Sequence, residues 1–299
     1  MRNLPLPSRA AAREDLIKAI KTYRYNGEVR GYTATSEDID AILELYDRYD
    51  EGAGLPLDVL KGTALSEHLV DALYDAYDFT QEKRKLWSVR NLIFSGVTLC
   101  PICGISPARE LDHYLPRSVF KTLSIYARNL VPLCHHCNHV KLAGFGGQNE
   151  AEKRLLHAYF DAIPDVDFLK AEVDIRGPSL VVDFAIDGTV AAPLELIGRL
   201  THQFTTLRLN QRYRQEINAY LSSHAVALHT SHRAGSANGV RRFLSLQARY
   251  ELSAFYRNHW RPTLLHALAT HNEFCDGRFK EVLPMPPSIL DDLAGAAQP

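Results

Sequence analysis

The sequence predicts an α+β protein: a mostly α-helical chain with a central β-β-α module and a short β-hairpin after it. Apolar residues recur at helical spacing through the first hundred residues. Two Cys-x-x-Cys pairs flank short apolar segments further on, and apolar and polar residues then alternate with a period of two. These patterns divide the chain into a helical region (1–95), a compact module (96–147), a mixed region (148–280) and a tail (281–299).

Length and composition are those of an ordinary globular chain with one large domain or two smaller ones. Of its 299 residues, 46% are hydrophobic and 23% are charged. No apolar run approaches the roughly 20 residues needed to span a bilayer, and the N-terminus lacks the apolar core of a secretory signal. Four of the five cysteines have metal-type spacing, which fits a reducing compartment better than a disulfide framework. We therefore expect a cytoplasmic protein with no membrane segment.

The first region is predicted to form four helices, over 8–24, 36–49, 65–77 and 81–94. Ser8 and Ser36 stand where N-cap residues are expected, and Ile39, Ile42 and Tyr46 fall on one face of the second helix. No set of residues suited to catalysis stands out here. We interpret the region as an all-α scaffold or a module that docks a partner.

The central module is defined by two cysteine pairs: Cys100 with Cys103, and Cys134 with Cys137. Each pair can place two thiolates on one side of a tight turn, and two such turns about 30 residues apart can close a tetrahedral zinc site. The zinc would stabilise a segment too short to bury a core of its own. Strands are predicted at 109–114 and 130–133, with a helix at 137–142. By themselves, the cysteines favour a zinc ribbon that only binds nucleic acid or protein.

The later elements carry weaker signals. They are predicted, in chain order, as a helical link over 150–160, strands over 167–176 and 179–187, and long helices over 194–227 and 239–270. A looser stretch over 229–237 separates the two long helices, and Pro262 is expected to perturb the second one. The last residues are rich in proline and small side chains, so we interpret them as a poorly packed tail.

Charge is unevenly distributed, although the net charge is only −1. Residues 1–80 hold 9 basic and 15 acidic side chains, whereas residues 196–280 hold 12 basic and 4 acidic ones. The basic segment favours contact with a polyanion, and the acidic one favours solvent or a basic partner. Arg241 and Arg242 are candidates to bind a phosphate backbone. The alternative is that these arginines are solvated charges lying over neighbouring side chains.

Asp112 and His113, adjacent to each other between the cysteine pairs, are suited to chemistry. In a strand, adjacent side chains point to opposite faces, so the acid and the imidazole can serve different features. A neutral imidazole can take a proton from water, which is the work of a general base. The Asp112 carboxylate and the Asn138 carbonyl could form a hard oxygen site for Mg²⁺ or Mn²⁺. A divalent ion beside a general base is what phosphodiester hydrolysis needs.

The order of these motifs resembles that of the zinc-supported HNH endonucleases. The matching segments are Cys-x-x-Cys, Asp-His-x-x-Pro from Asp112, and Asn-Leu-Val-Pro-Leu-Cys-x-x-Cys-Asn from Asn129. The resemblance implies the ββα-metal fold over this short part of the chain. It also implies that His113 is the general base, that Asp112 is an acidic metal ligand, and that Asn129 orients the catalytic loop.

Two further roles follow from the same resemblance. Asn138 takes the position of the last metal ligand, where many members have histidine, so His136 or His139 could substitute for it. Lys141 would contact a phosphate, although a lone lysine is more often a solvated side chain.

The sequence thus predicts a metal-dependent endonuclease that hydrolyses DNA, with a structural Zn²⁺ and a catalytic Mg²⁺ or Mn²⁺. HNH proteins with helical extensions on both sides resemble effectors of bacterial anti-phage and restriction systems, which often work beside an ATPase partner. Two alternatives stay open. One is a non-catalytic zinc module that binds nucleic acid or a partner protein, and the other is the same chemistry on RNA.

Overall fold

The computed structural model describes residues 1–142, 144–147 and 150–295, with side chains up to residue 293. The chain divides into two compact units. The first consists of Met1–Ile163 together with Gly198–Gln203, and the second of Pro164–Ile197 together with the chain from Phe204 onward. The first unit therefore contains both the helical region and the central module. The finer divisions expected at 95, 147 and 280 stay predictions.

Helices dominate the described residues. They are, in chain order, α1 (Ala12–Ala19), α2 (Ser36–Glu51), α3 (Glu67–Ala76), α4 (Trp87–Phe94), α5 (His135–Lys141), α6 (Leu194–Thr206), α7 (Leu209–Ser222), α8 (Ala225–Ala254), α9 (Trp260–Thr270), α10 (Phe279–Val282) and α11 (Pro287–Gly295). The strands form antiparallel pairs: β1 (Tyr23–Tyr25) with β2 (Glu28–Arg30), β3 (Glu110–His113) with β4 (Leu130–Leu133), and β5 (Leu169–Arg176) with β6 (Ser179–Ile186). Helices with small two-stranded sheets make an α+β fold, which confirms the predicted class.

The first hundred residues were predicted to be all α-helical, and this prediction is wrong. α1 ends at Ala19 instead of continuing to residue 24, and the chain then forms the hairpin β1–β2. Asn26 and Gly27 make its turn with φ values of +51° and +84°. Positive φ at both positions is what a two-residue type I′ turn requires, and Asn-Gly is the pair that adopts it most readily. This dipeptide is the signal that could have predicted the hairpin.

α2 supplies the centre of the first unit's core. Thr35 and Asp38 form a capping box at its N-terminus. The N-cap residue is therefore Thr35, whereas Ser36 had been predicted. Side chains at helical spacing form the buried face of this helix: Ile39, Ile42, Leu45, Tyr46 and Tyr49. The Tyr46 ring stacks on Tyr126 with 3.9 Å between the ring centroids. This contact joins α2 to the segment that precedes β4.

β3, β4 and α5 form the predicted β-β-α arrangement inside the first unit. Asp112 pairs with Val131 and His113 with Leu130 across the two strands. β4 begins and ends at the predicted residues, whereas α5 begins two residues earlier than predicted. Cys134 is the single residue between β4 and α5, and it occupies the N-cap position of the helix. The direction of α5 is therefore set directly by the end of β4.

The middle of α6 completes the first unit. Arg199 donates hydrogen bonds of 2.5 and 2.6 Å to the Asp161 carboxylate, and Gln203 accepts one from the backbone N–H of Leu156. The predicted helix over 150–160 is wrong. These residues form a short 3₁₀ turn at Ala151–Lys153 followed by irregular chain. Their backbone groups form hydrogen bonds with distant side chains such as Gln203 instead of with one another.

In the second unit, β5 and β6 pair from Leu169 with Ile186 to Arg176 with Ser179, close to the predicted strands. The predicted helix over 194–227 is divided by Arg208, whose φ is +50°.

The other long helix of the second unit is also divided differently from the prediction. α8 ends at Ala254 and α9 begins at Trp260. Pro262 lies in the first turn of α9, where its missing N–H removes no helical hydrogen bond. The stretch over 229–237 is helical, with a kink at Gly235 and Ser236, and the expected tail contains α11. In the part of the chain that the structure describes, no helix combines the length and apolar character needed to cross a membrane.

Candidate metal centre

The four cysteines of the two pairs converge in the first unit. A turn closed by a bridge between Leu99 and Pro107 carries the first pair, and the start of α5 carries the second. All four side chains are buried, their sulfur atoms lie within 4.8 Å of one another, and Cys103 Sγ is 3.8 Å from Cys134 Sγ. Among the described residues, this is the one group of His, Cys, Asp and Glu side chains with such geometry.

This arrangement fits a tetrahedral metal ion. Sulfur atoms each about 2.3 Å from a zinc ion would be about 3.8 Å apart. Burial raises the pKa of the Cys100 thiol, so four thiolates here need a cation to compensate their charge. The backbone N–H of Ile105 donates to Cys103 Sγ at 3.4 Å. The cluster could therefore hold a structural metal such as zinc.

The Asp112 carboxylate faces Lys141 on α5. Lys141 Nζ lies 2.8 Å from Asp112 Oδ2, and the exposed fractions of the two side chains are 5% and 12%. Nζ also donates a hydrogen bond of 2.7 Å to the His113 carbonyl. Burial raises the pKa of Asp112, and the nearby ammonium only partly opposes this effect. Oδ2 is therefore a buried acceptor whose partner is the Lys141 ammonium, and a metal ion bound there would take the place of that ammonium.

The His113 side chain lies on the opposite face of β3 and is 7% exposed. Its Nε2 is 2.9 Å from the Ser124 carbonyl. Nε2 therefore carries the hydrogen, and Nδ1 is the acceptor of the neutral ring. The Tyr77 ring packs against the imidazole with 4.5 Å between centroids. Burial lowers the pKa of His113 to about 3, so the ring is neutral at physiological pH.

Asn129 is fully buried and organises the loop between β3 and β4. Its Oδ1 accepts hydrogen bonds from the Leu115 N–H at 2.8 Å and from the Tyr49 hydroxyl at 3.1 Å. Its Nδ2 donates to the carbonyls of Leu115 at 3.0 Å and Leu123 at 3.4 Å. All four hydrogen-bonding positions of the amide are therefore used. This loop carries the Ser124 carbonyl that orients His113.

Asn138 shares one face of α5 with His135 and Lys141, which precede and follow it by one helical turn. Its Nδ2 donates to Glu110 Oε2 at 2.8 Å, and His135 Nδ1 is 2.7 Å from Glu110 Oε1. Burial raises the pKa of Glu110, but these two contacts outweigh it, so the pKa is lowered. Glu110 and Asp112 share one face of β3. The face of α5 that carries His135, Asn138 and Lys141 therefore lies over the carboxylates of Glu110 and Asp112.

The two histidines considered as substitutes for Asn138 are placed differently. His136 and His139 are exposed on α5, whereas Asn138 is half-buried. The His139 ring lies beside His135, with 5.9 Å between the ring centroids. Of the three residues, Asn138 is the one that lies next to Glu110 and faces β3, so it is the best placed candidate for a metal ligand on this face.

Arg241 and Arg242, two of the three basic residues predicted to bind substrate, lie in the second unit, on α8. Arg241 donates to Asn272 Oδ1 at 3.0 Å and is 3.7 Å from Asp276. Arg242 is exposed and has no ion pair within the described residues. Arg242 is therefore the more available of the two for a phosphate.

Two residues of this site were not found from the sequence. Glu110 stands two residues before Asp112, and the period of a strand was the signal that could have placed both carboxylates on one face. Tyr77 donates its hydroxyl hydrogen to the Leu111 carbonyl and covers the His113 ring. No local pattern marks Tyr77, because its contact with β3 arises only from tertiary packing.

Comparison with known proteins gives a limited similarity. The chain is 28% identical over 136 residues to Protein ea31 of Escherichia phage lambda. The match covers 44% of this chain and 45% of the phage protein, so the chain spans about half the length of that relative. The sequence matches no protein-family model, and no solved structure matches the chain. The class that the fold and site define is an α+β protein with a buried four-cysteine centre that could hold a metal.

Proposed function

We propose that this chain is an HNH-type, metal-dependent endonuclease that hydrolyses phosphodiester bonds in DNA. The observation that carries the proposal is the unit of β3, β4 and α5 beside the four-cysteine cluster. That unit carries Asp112 and His113 on β3 and Asn138 on α5, in the chain order of the HNH motif. The cysteines would then form a structural zinc site, and the residues between and after them would carry out the hydrolysis.

His113 is the proposed general base. Because Nε2 donates to the Ser124 carbonyl, Nδ1 keeps the lone pair that can accept a proton from the attacking water. The Tyr77 ring and the Ser124 carbonyl together hold the imidazole in one orientation. Burial lowers the pKa of His113 to about 3, which leaves Nδ1 unprotonated at physiological pH but also makes the buried ring a weak base, so the proposed role needs water and substrate to reach the ring.

A second, divalent ion is the proposed cofactor, with Asp112 and Asn138 as the residues that would hold it. The buried Oδ2 of Asp112 is the oxygen that fits such an ion best, since a cation, the Lys141 ammonium, already lies 2.8 Å from it. When bound, Mg²⁺ or Mn²⁺ would stabilise negative charge on the phosphate and on the leaving oxygen. Lys141 contacts the same oxygen. Its ammonium therefore competes for Asp112, and on release it would become available for a phosphate.

Nicking of supercoiled plasmid in Mg²⁺ or Mn²⁺ tests this proposal. The wild-type chain should nick, and His113→Ala should abolish nicking while zinc content and DNA affinity stay unchanged. Because His113 is buried, His113→Asn and the melting temperature of each variant show whether loss of folding explains the result. His68→Ala is the matched control, since His68 is an exposed histidine of the same unit, and it should nick at the wild-type rate.

RNA offered in parallel decides the substrate. Faster cleavage of RNA than of DNA would keep the chemistry and change the substrate class. If the wild-type chain cleaves neither, with either metal and with or without the products of neighbouring genes, the endonuclease proposal is wrong.

A non-catalytic zinc module is the second candidate. It is favoured by the burial of His113 and by the contact between Lys141 and Asp112, which leave little of the two side chains accessible. Such a module should bind nucleic acid or a partner protein without cleaving either. Cys134→Ser should then abolish binding, whereas His113→Ala should leave it unchanged.

The setting we propose is bacterial anti-phage or restriction defence in the cytoplasm, beside an ATPase partner. This part is supported by the resemblance to HNH effectors alone. Co-expression with an ATPase encoded by an adjacent gene tests it: a complex should form, and phage plaque counts should fall only when His113 is intact.

A further inference from the structure

The hairpin β1–β2 in the first unit is unpacked on both faces. All six of its strand residues are exposed. Among them, Tyr23 is 51% exposed, Tyr25 54% and Val29 64%. A two-stranded hairpin has little stability unless its side chains pack against something, and large side chains exposed together mark interaction sites. The hairpin therefore presents a surface that a partner would cover.

The register of the strands sorts the side chains onto two faces, because residues directly opposite each other share a face. The first face carries Tyr23, Tyr25, Glu28 and Arg30, and the second carries Arg24 and Val29. On the first face, the Arg30 guanidinium lies 5.0 Å from the centre of the Tyr25 ring and 3.1 Å from the Glu28 carboxylate. The first face thus carries two aromatic rings and an Arg30–Glu28 pair, and the second carries the unpaired charge of Arg24 beside Val29.

The hairpin is also a basic island in an acidic part of the chain. Residues 1–80 hold 9 basic and 15 acidic side chains, yet Glu28 is the one acidic residue of the segment 21–32, and it is paired with Arg30. Lys21 and Arg24 have no ion pair anywhere in the described residues. Their charges are therefore available to an anionic partner.

Lys85 extends the positive charge at the base of the hairpin. Its Nζ donates to the Ala19 carbonyl at 3.1 Å, just before the hairpin begins. Burial and the nearby charge of Lys21 lower the pKa of Lys85. The Lys85 ammonium also lies 3.6 Å from the centre of the Phe79 ring, and it adds a positive charge that an anion near Lys21 would stabilise.

We propose that the hairpin β1–β2 is a DNA-contacting ribbon. Lys21, Arg24 and Lys85 would contact phosphates, and Tyr23 and Tyr25 would pack on bases or sugars. Basic side chains release counterions from the phosphate backbone, and aromatic rings stack on bases. A two-stranded ribbon exposed on both faces also has the dimensions that the major groove of DNA admits. The choice of DNA rests on the proposed function, but the inference concerns binding and not cleavage.

Fluorescence anisotropy with a labelled 30-base-pair duplex and a 30-nucleotide single strand tests the ribbon, in buffer without Mg²⁺ or Mn²⁺. Replacing both tyrosines (Tyr23→Ala with Tyr25→Ala) should weaken binding to at least one form roughly ten-fold or more. The matching phenylalanine variant should bind within about two-fold of wild type, since it keeps both rings. Lys21→Ala with Arg24→Ala should reduce the slope of log affinity against log salt by about two.

Arg48→Ala is the control for charge, because Arg48 is an exposed arginine of the same unit that lies beside Glu44 and Glu51. It should leave affinity and salt slope unchanged, and the melting temperature should not move in any of these surface variants. Loss of affinity confined to the single strand indicates stacking on unpaired bases, and loss confined to the duplex indicates groove binding.

Two outcomes would overturn the ribbon: a wild-type chain that binds neither form of DNA, or an alanine variant within two-fold of wild type on both forms. The ribbon and the proposed nuclease can fail separately. If binding depends on the ribbon but no cleavage occurs, only the nuclease proposal is wrong. If the alanine variant binds and nicks normally, only the ribbon proposal is wrong.

Discussion

Lys141 and Asp112 form a buried ion pair in which each residue depends on the other. The two charged atoms are 2.8 Å apart, and both side chains are almost inaccessible to solvent. Taking away one member leaves the other as an uncompensated buried charge, whereas replacing both by apolar side chains is often tolerated.

Lys141→Met should therefore lower the free energy of unfolding by about 3–5 kcal/mol, measured by urea denaturation. Adding Asp112→Leu should restore much of the loss. Lys153→Met is the control, since Lys153 forms an exposed pair with Glu150, and it should change nothing measurable. If Lys141→Met is as stable as this control, the ion pair has no structural role.

His157 connects a buried chain of hydrogen bonds to Asn129. The Tyr159 N–H donates to His157 Nδ1 at 3.1 Å, so Nε2 carries the hydrogen and donates to the Tyr49 oxygen at 2.9 Å. Tyr49 in turn donates to Asn129 Oδ1 at 3.1 Å. Burial, and then the charge of Arg199, lower the pKa of His157 to about 3. The chain is consistent only with a neutral imidazole.

This arrangement predicts acid sensitivity between about pH 6.5, the ordinary histidine pKa, and the folded-state pKa of about 3. The unfolded state binds a proton in this window and the folded state does not, so stability is full above it and falls as the pH falls. His157 alone should contribute a slope of about 1.4 kcal/mol per pH unit. Urea unfolding from pH 7 to pH 4 should show a shallower decline for His157→Gln. An unchanged slope would mean that His157 is already protonated in the folded state.

At the scale of elements, the cysteine cluster joins the turn at Leu99–Pro107 to the start of α5. Cys134 lies between β4 and α5, at the N-cap position of the helix, as well as contributing a sulfur atom. A metal bound there would fix the angle between α5 and the β3–β4 pair. The contacts of Lys141 and Asn138 with β3 would then depend on that metal.

Cys134→Ser should therefore lower both metal content and thermal stability. Native mass spectrometry should find one zinc per wild-type chain and less in the variant, together with a lower melting temperature. Cys275→Ser is the control: Cys275 is also buried but lies in the other unit, so zinc content should be unchanged. Full zinc occupancy in Cys134→Ser would exclude the four-cysteine site.

The sequence predicted elements well where a local pattern decides them. β4 was placed to the residue because its apolar run lies between Asn129 and Cys134, and β5–β6 followed from alternation around Gly177. The segment over 150–160 was mistaken for a helix because its apolar residues have helical spacing. Its backbone instead bonds to Gln203 and to Leu4, which are remote in sequence.

The candidate site was predictable in part for the same reason. The cysteine spacing alone indicates a metal centre, since it is a property of short turns. The burial of Lys141 against Asp112 was not predictable, because it depends on how α5 lies across β3. Glu110 had a signal that was overlooked, namely its place on the same face as Asp112.

At the scale of the whole molecule, the two ends of the chain differ in charge, and DNA binding should report on this difference. Arg242→Ala should weaken DNA binding and reduce the salt slope by about one, since an exposed arginine without an ion pair can bind a phosphate. Arg241→Ala should do less, because Arg241 already contacts Asn272 and Asp276. If Arg242→Ala and the wild type have the same slope of log affinity against log salt, Arg242 does not contact a phosphate and is a solvated charge.

The middle of α6 has a consequence for how the protein is made. Arg199 contacts Asp161 and Gln203 contacts Leu156 within the first unit, and these partners are separated in the chain by the whole of β5 and β6. During synthesis the chain emerges from its N-terminus. The segment with the four cysteines therefore leaves the ribosome well before its unit can be completed. Ribosome-bound chains stalled before α6 should be digested by protease far more readily than chains stalled after it, so the proposed enzyme would mature late in translation.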